Sequence, residues 1–581
     1  MVPLLQINNL SVDFKDEAGC VKAVDDISFE IKPGQMLAIV GESGSGKTVT
    51  ALSVLQLLPK QAGVKGEILF RGIKENPIDL ATLSTKEINK IRGHKIAMIF
   101  QEPMTSLNPM YTCGFQVMES ILQHKKISKK EARQQAINLF TQVELPTPET
   151  MLGRYPHQIS GGQKQRVMIA MAMSCGPSLL IADEPTTALD VRVQKNILEL
   201  IKTLQQKNEM AVLLITHDLG LVADVADEVA IMYKGKIVEQ GNANEILLNP
   251  QHAYTKALLA CRPAANAKGK RLSIVSDFLE EIDTLNSIQS SQVLSSCISD
   301  REASVLLPLS LGEEVGGEVL LSVQNLKVYF PATKNIFGKP TSYYKAVDDV
   351  SFTVNQNEIV GLVGESGCGK TTLGRAILQL IKPTSGKIIL NGKDITHIPE
   401  NELRKMRKDL QIVFQDPYGS LNPRLTIGDA ILEPLKVHGM YGNNNQRKEK
   451  VIELLEQVNL NAAHFRRYPH QFSGGQRQRI CIARALSLNP SFLIFDESVS
   501  ALDISIQAQI LNLLNELKAK FNFTSIFISH DLGVVHYISD RILVMNKGKI
   551  VEEGRPDEIY YNPQNEYTQR LIEAIPGKRV L

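Results

Sequence analysis

The sequence predicts an α/β fold built twice, as two tandem phosphate-loop domains joined by a linker. Three observations carry this. Apolar runs at Leu37–Val40 and Ile359–Val363 lead directly into glycine-rich loops, and the runs Leu179–Ala182 and Phe492–Phe495 end in two acids. Runs of this length without polar alternation fit strands buried on both faces of a parallel sheet. The chain also repeats itself in order, motif by motif.

The length, 581 residues, exceeds what one hydrophobic core supports, since cores stop growing at roughly 250–300 residues. Apolar residues make up 43% and charged residues 22%, and the formal net charge is +2. A balance so near zero gives no electrostatic reason to expect nucleic acid as the main partner. Seven scattered cysteines without a CxxC pair point to reduced thiols rather than a disulfide framework or an iron–sulfur centre. The first residues, MVPLLQINNLSVDF, have neither the basic start nor the apolar core of a signal peptide. No run approaches the roughly 20 apolar residues that span a bilayer, so any membrane role requires partner subunits.

The repeat sets the domains. GESGSGKT from Gly41 matches GESGCGKT from Gly364. FQEPMTSLNP from Phe100 matches FQDPYGSLNP from Phe414, and RYPHQISGGQKQR from Arg154 matches RYPHQFSGGQRQR from Arg467. IADEPTTALD from Ile181 matches IFDESVSALD from Ile494, and ITHDLG from Ile215 matches ISHDLG from Ile528. The lysines lie 323 residues apart, the glutamines of the second pair 314 and the last three pairs 313. Five pairs in one order define a duplication, with extra residues in the first copy around Gly72–His94. Both copies end alike, in NPQHAYTKALL from Asn249 and NPQNEYTQRLI from Asn562. The expected domains are residues 1–263 and 321–581. The stretch 264–320, Ser-rich with nine acidic and four basic residues, is expected to be a flexible linker with one short helix near 276–288.

Each motif carries its own chemistry. In the loops Gly41, Ser43, Gly44, Gly46 and Gly364, Ser366, Gly367, Gly369, small residues let backbone N–H groups approach phosphate oxygens at a helix N-terminus. Lys47 and Lys370 are expected to reach the terminal phosphates, and the Thr48 and Thr371 hydroxyls to ligate Mg²⁺. A glycine turn with an exposed lysine is the bland reading, and two copies in matching context argue against it. Cys368 fills a variable loop position, as a small neutral residue. The strand ends place Asp183 and Asp496 to help hold Mg²⁺, with Glu184 and Glu497 set to polarise an attacking water. Ser160, Gly161, Gly162, Gln163 and Ser473, Gly474, Gly475, Gln476 read as serine-capped helix starts with exposed N–H groups, an anion site without lysine.

Phosphate loop, glutamine loop, SGGQ, Asp–Glu strand, ALD loop and histidine, in that order, resemble the ATP-binding cassette ATPases over nearly everything but the linker. The resemblance implies two composite ATP sites, each pairing one copy's phosphate loop with the other's SGGQ. It implies that Gln101 and Gln415 contribute at the metal, and that His217 and His530 hold the γ-phosphate. Asp190 and Asp503 would signal between copies, and Phe14 and Phe330 match the aromatic that stacks on adenine. Both copies retain every reacting group, so two hydrolytic sites are expected; Ser498 stands where the first copy has Pro185. GESGSGKTVTAL, RYPHQ before the signature and both NPQ-x-x-YT endings are similar to the peptide/nickel importer branch, closest to the fused ATP-binding subunits of glutathione importers. This implies ATP and Mg²⁺ and a peripheral place on the cytoplasmic face of the bacterial inner membrane. The implied partners are two membrane permeases and, through them, an external substrate-binding protein. A ribosome-bound tandem cassette would carry a basic arm between its copies, where this linker is acidic. A DNA-repair cassette would carry long heptads or paired cysteines, and between import and export the C-terminal endings favour import.

Overall fold

The structure, a computed structural model, describes residues 2–16, 19–72, 76–101, 106–187, 189–263, 270–278, 318–334, 340–500 and 502–575. It forms two compact units. The first takes Met1–Ala265 with Ala501–Gln507 and Arg570–Leu581; the second takes Asn266–Ser500 with Ala508–Gln569.

In the first unit, β1 (Leu5–Asp16), β2 (Gly19–Ile31), β4 (Ala62–Phe70) and β5 (Ile78–Asp79) form an antiparallel sheet in the order β2-β1-β4-β5. The second sheet runs β10-β9-β3-β8-β7-β6, from β3 (Met36–Val40), β6 (Ile96–Ile99), β7 (Leu179–Asp183), β8 (Ala211–Thr216), β9 (Glu228–Tyr233) and β10 (Lys236–Asn242). β6, β7, β8, β3 and β9 are parallel, and only β10 is antiparallel. All residues of β3, β7 and β8 are buried, which is why the sequence shows unbroken apolar runs there. One core joins the sheets: Leu5, Ile7 and Ile27 from the first pack with Ile39, Ile181 and Leu213 from the second and Ala51 from the helix Lys47–Val54. Each of the larger aliphatic side chains is worth about 1.5–3 kcal/mol of burial.

The second unit repeats the plan. β11 (Val319–Lys334), β12 (Pro340–Asn355), β14 (Ser385–Leu390) and β15 (Lys393–Asp394) pair as β12-β11-β14-β15. β13 (Ile359–Val363), β16 (Leu410–Val413), β17 (Phe492–Asp496), β18 (Thr524–Ser529), β19 (Arg541–Asn546) and β20 (Lys549–Gly554) form a sheet in the order β16-β17-β18-β13-β19-β20. The phosphate loops leave the carboxyl ends of β3 and β13, and the Asp–Glu pairs those of β7 and β17. The α/β class and its duplication therefore stand as read.

The stretch expected as a linker holds an ordered strap at Lys270–Phe278, within the second unit. Leu272 is fully buried there. Its N–H donates to Asn512 Oδ1 and its carbonyl accepts from Asn512 Nδ2, both at 2.9 Å. Tyr537 donates its hydroxyl to the Lys270 carbonyl at 2.8 Å. The backbone is helical at 275–278, and the rest of the helix expected near 276–288 lies outside the described residues.

Candidate nucleotide site

The phosphate loops are shaped by contacts only glycine permits. Gly46 has φ 103°, and a Cβ there would lie 2.5 Å from the Ala23 carbonyl oxygen; Gly369 has φ 112° and a Cβ would lie 2.1 Å from that of Ala346. Each loop opens a helix, Lys47–Val54 or Lys370–Ile377. Lys47 Nζ donates to the carbonyls of Gly41 (2.8 Å) and Glu42 (2.9 Å), and Lys370 Nζ to those of Gly364 (2.7 Å) and Glu365 (3.0 Å). Both lysines are buried. Cys368 Sγ lies 3.9 Å from Lys370 Nζ, and burial raises the thiol's pKa, which keeps it neutral.

Asp183 and Asp496 face the threonines that follow the lysines. Thr48 Oγ1 donates to Asp183 Oδ1 at 3.2 Å and Thr371 Oγ1 to Asp496 Oδ1 at 2.9 Å. Burial pushes the Asp183 carboxyl up to about 6, against the pull of Thr48, and raises Asp496 likewise. A buried carboxylate of raised pKa beside a hydroxyl is a donor pair short of positive charge. Ser45 Oγ, in the same loop, is buried without a partner. Among the described residues no cluster of three His, Cys, Asp or Glu could hold a metal alone. A hydroxyl and one carboxylate suit Mg²⁺, which takes one or two protein oxygens and completes its shell from phosphate and water. The residues fit Mg²⁺–ATP.

Glu184 and Glu497 follow with φ 45° and 47°, a left-handed backbone that costs non-glycine residues energy. Gln101 Nε2 donates to Glu184 Oε2 at 3.0 Å, and Gln415 Nε2 to Glu497 Oε2 at 3.0 Å. The glutamines thus meet these glutamates, where the resemblance implied the metal. His217 Nδ1 lies 3.4 Å from Glu184 Oε1, and His530 Nδ1 3.3 Å from Glu497 Oε2. Burial works against the Glu184 carboxylate, but His217, Thr187 and Lys47 outweigh it and hold the group down at about 2. Burial likewise opposes charge on His217, and the carboxylates of Glu184, Asp503 and Asp218 overcome it and raise its pKa. Asp503, in the Ala501–Gln507 stretch of the first unit, accepts from the Ser43 N–H at 2.7 Å. Asp190 caps its own helix, accepting from the Val193 N–H at 2.9 Å.

The SGGQ segments are helix starts. Ser160 Oγ accepts from the Gln163 N–H (3.3 Å) and Gln163 Oε1 from the Ser160 N–H (3.2 Å), a capping box for Gly161–Ala172. Ser473 and Gln476 repeat it at 3.4 and 3.2 Å for Gly474–Leu486. The glutamine is thereby committed to the cap, leaving the glycine N–H groups at the tip.

Phe14 is half-buried against the first unit's core, while Phe330 is exposed. Sequence reasoning missed Tyr344, the cross-strand partner of Phe330, whose hydroxyl donates to the Gly367 carbonyl at 3.0 Å. It also missed Thr187, which donates to Glu184 Oε2 at 2.9 Å; its counterpart Ser500 bonds the Glu497 backbone carbonyl instead. No motif assigns either residue a role, and only adjacent loop position could have flagged them.

The ABC transporter family model matches residues 24–187 and 347–500. The chain belongs to the ABC transporter family. A second model, the oligopeptide/dipeptide transporter C-terminal region, matches this ABC ATPase at residues 238–286 and 551–579. It is 46% identical over 580 residues to the glutathione import ATP-binding protein GsiA of Escherichia coli K12, covering 99% of this chain and 89% of that protein. The Salmonella choleraesuis GsiA gives 46% over 581 residues with the same coverage. Among solved structures, the dimeric ATP-binding cassette MJ0796 bound to ADP and Pi is 28% identical, with a TM-score of 0.37 over 41% of this chain and 99% of that one.

Proposed function

We propose that this ABC ATPase energises import of glutathione or of di- and oligopeptides, through two permease subunits on the cytoplasmic face of a bacterial inner membrane. The 46% identity to a glutathione import protein, over 99% of the chain, carries the reading. The twin C-terminal matches favour it over a ribosome-bound cassette. Among the described residues no helix is long and apolar enough to cross a membrane, so the permeases supply the path and, with an external binding protein, the choice of cargo.

The mechanism follows from the two constellations. Backbone N–H groups of Gly44, Gly46, Gly367 and Gly369 and the ammonium groups of Lys47 and Lys370 hold the phosphates, which in phosphoryl transfer is most of the catalysis. Bound Mg²⁺, held by Thr48 with Asp183 and by Thr371 with Asp496, would neutralise phosphate charge. Glu184 and Glu497, ionised at neutral pH, accept a hydrogen bond from the attacking water and orient it. His217 and His530 fix those acids and bond the γ-phosphate, and Gln101 and Gln415 hold the same acids from a second side. Phe14 and Phe330, with Tyr344, stack on adenine.

Permease docking is supported by exposed apolar surface beside each glutamine loop. The second unit has a groove of about 400 Å³ lined by Phe414, Pro434, Val437, Cys481 and Leu488 with Arg484 at its side. Met110, Tyr111 and Phe115, which follow Gln101 in the chain, are exposed. In proteoliposomes holding the chain with two co-purifying permeases and a binding protein, ATP should drive glutathione or dipeptide uptake. Glu184→Gln with Glu497→Gln should cut it by about a hundredfold or more. Co-purification with ribosomes in place of permeases would overturn the reading.

A further inference from the structure

The endings NPQHAYT and NPQNEYT take no part in the mechanism above, yet both reach the phosphate loop. In the first unit Glu239, on β10, anchors the turn: its carboxylate accepts from the backbone N–H of Gln251 at 2.8 Å and of His252 at 3.2 Å. In the second, Glu552 on β20 accepts from Gln564 at 2.7 Å and Asn565 at 3.2 Å. The anchored turn starts a helix, Ala253–Ala260 or Glu566–Glu573, whose first turn carries Tyr254 or Tyr567. Both rings are buried. The Tyr254 hydroxyl accepts from the backbone N–H of Glu42 at 3.1 Å, and that of Tyr567 from Glu365 at 2.9 Å.

That N–H has a particular place. The Glu42 N–H and the Gly41 carbonyl belong to one peptide plane, and in a trans peptide they point in opposite directions. The carbonyl faces Lys47 Nζ at 2.8 Å, so the tyrosine grips the other side of the plane that parks the lysine. Gly364, Glu365, Lys370 and Tyr567 repeat the arrangement with the carbonyl at 2.7 Å from Nζ. Without the hydroxyl this half-buried N–H loses the phenol oxygen that fixes it, and the plane is freed to rotate. Rotation withdraws the carbonyl from the lysine and crowds the phosphate cradle.

We propose that Tyr254 and Tyr567 are positioning residues for ATP binding, through which each C-terminal extension sets the phosphate-loop backbone. The proposal rests on the phosphate-loop reading given under Proposed function. It gives the YT of both endings a physical purpose, since a single phenol oxygen ties the last helix of each copy to its nucleotide cradle.

Tyr→Phe keeps the ring and removes the hydroxyl. In the full chain, Tyr254→Phe with Tyr567→Phe should raise KM for ATP about fivefold or more and leave kcat within about twofold, since the loop and not the reacting acid is disturbed. The Glu42 and Glu365 amides should exchange hydrogen about tenfold faster in the double variant. KM within about twofold of wild type in the folded variant would overturn the proposal, as would unprotected Glu42 and Glu365 amides in the wild-type chain. Lys47→Ala with Lys370→Ala, assayed alongside, separates the two ideas. Loss of turnover there with unchanged KM in the tyrosine variant sinks only the positioning role, whereas undiminished turnover in the lysine variant sinks the phosphate-loop reading and this one with it.

Discussion

Asp183 and Glu184 are neighbours with opposite electrostatic settings, Asp183 pushed to about 6 by burial and Glu184 held to about 2 chiefly by His217 against its own burial. Environments that drive two carboxyls apart favour different chemistry at each, in keeping with the proposed split between a cation-holding Asp183 and a Glu184 that stays charged. The same numbers make a stability statement. A carboxyl with a folded value near 6 against an ordinary 3.8 is protonated more readily in the folded chain than in the unfolded one. Ionising it therefore costs folding free energy progressively as pH rises from about 4 through 6, on the order of 1–3 kcal/mol. With chelator present and nucleotide left out, Asp183→Asn should be more stable than wild type at pH 7.5, and the gap should close toward pH 4. Urea unfolding at the two pH values decides it, and a less stable variant at pH 7.5 refutes it. At this scale the groups that the structure brings together were legible, because lysine, paired acids and histidine sit in fixed local patterns. The Gln101–Glu184 bond was not, nor the reach of Tyr254 to Glu42. These join residues 83 and 212 positions apart, and local pattern carries no distance information.

Strands buried on both faces announce themselves, and β3, β7, β13 and β17 stand where their apolar runs lie. The strap at Lys270–Phe278 was hidden by its neighbours, since a Ser-rich acidic stretch reads as linker whatever short piece within it docks. The signal lay elsewhere, in the difference between copies. Asn512 and Tyr537 are buried in the second, where the first has exposed Glu199 and Asp224. A buried amide and phenol need partners, and the strap backbone supplies them. Asn512→Asp keeps the acceptor for the Leu272 N–H but turns a second acceptor toward the Leu272 carbonyl. Hydrogen exchange at the Leu272 amide should then quicken about tenfold or more. If that amide exchanges in the wild-type chain as fast as in a free peptide, the strap is not held as described.

Taken whole, the molecule is one plan executed twice with small differences of detail: Thr187 against Ser500, Glu199 against Asn512, Val21 against Tyr344. The plan was readable because duplication shows each motif twice and context removes chance matches; the differences were not, since each is a single residue whose meaning depends on its contacts. One feature recurs unchanged. Glu184 and Glu497 sit at φ 45° and 47°, where a side chain costs about 1–2 kcal/mol relative to none. At these two points the usual ranking of small residues should invert, with the Glu184→Gly chain melting above the Glu184→Ala chain, and likewise at 497. Calorimetry on both pairs would show it, and equal or reversed melting points would count against it. At residues 184 and 497 the polypeptide would thus tolerate a bare backbone better than the smallest side chain.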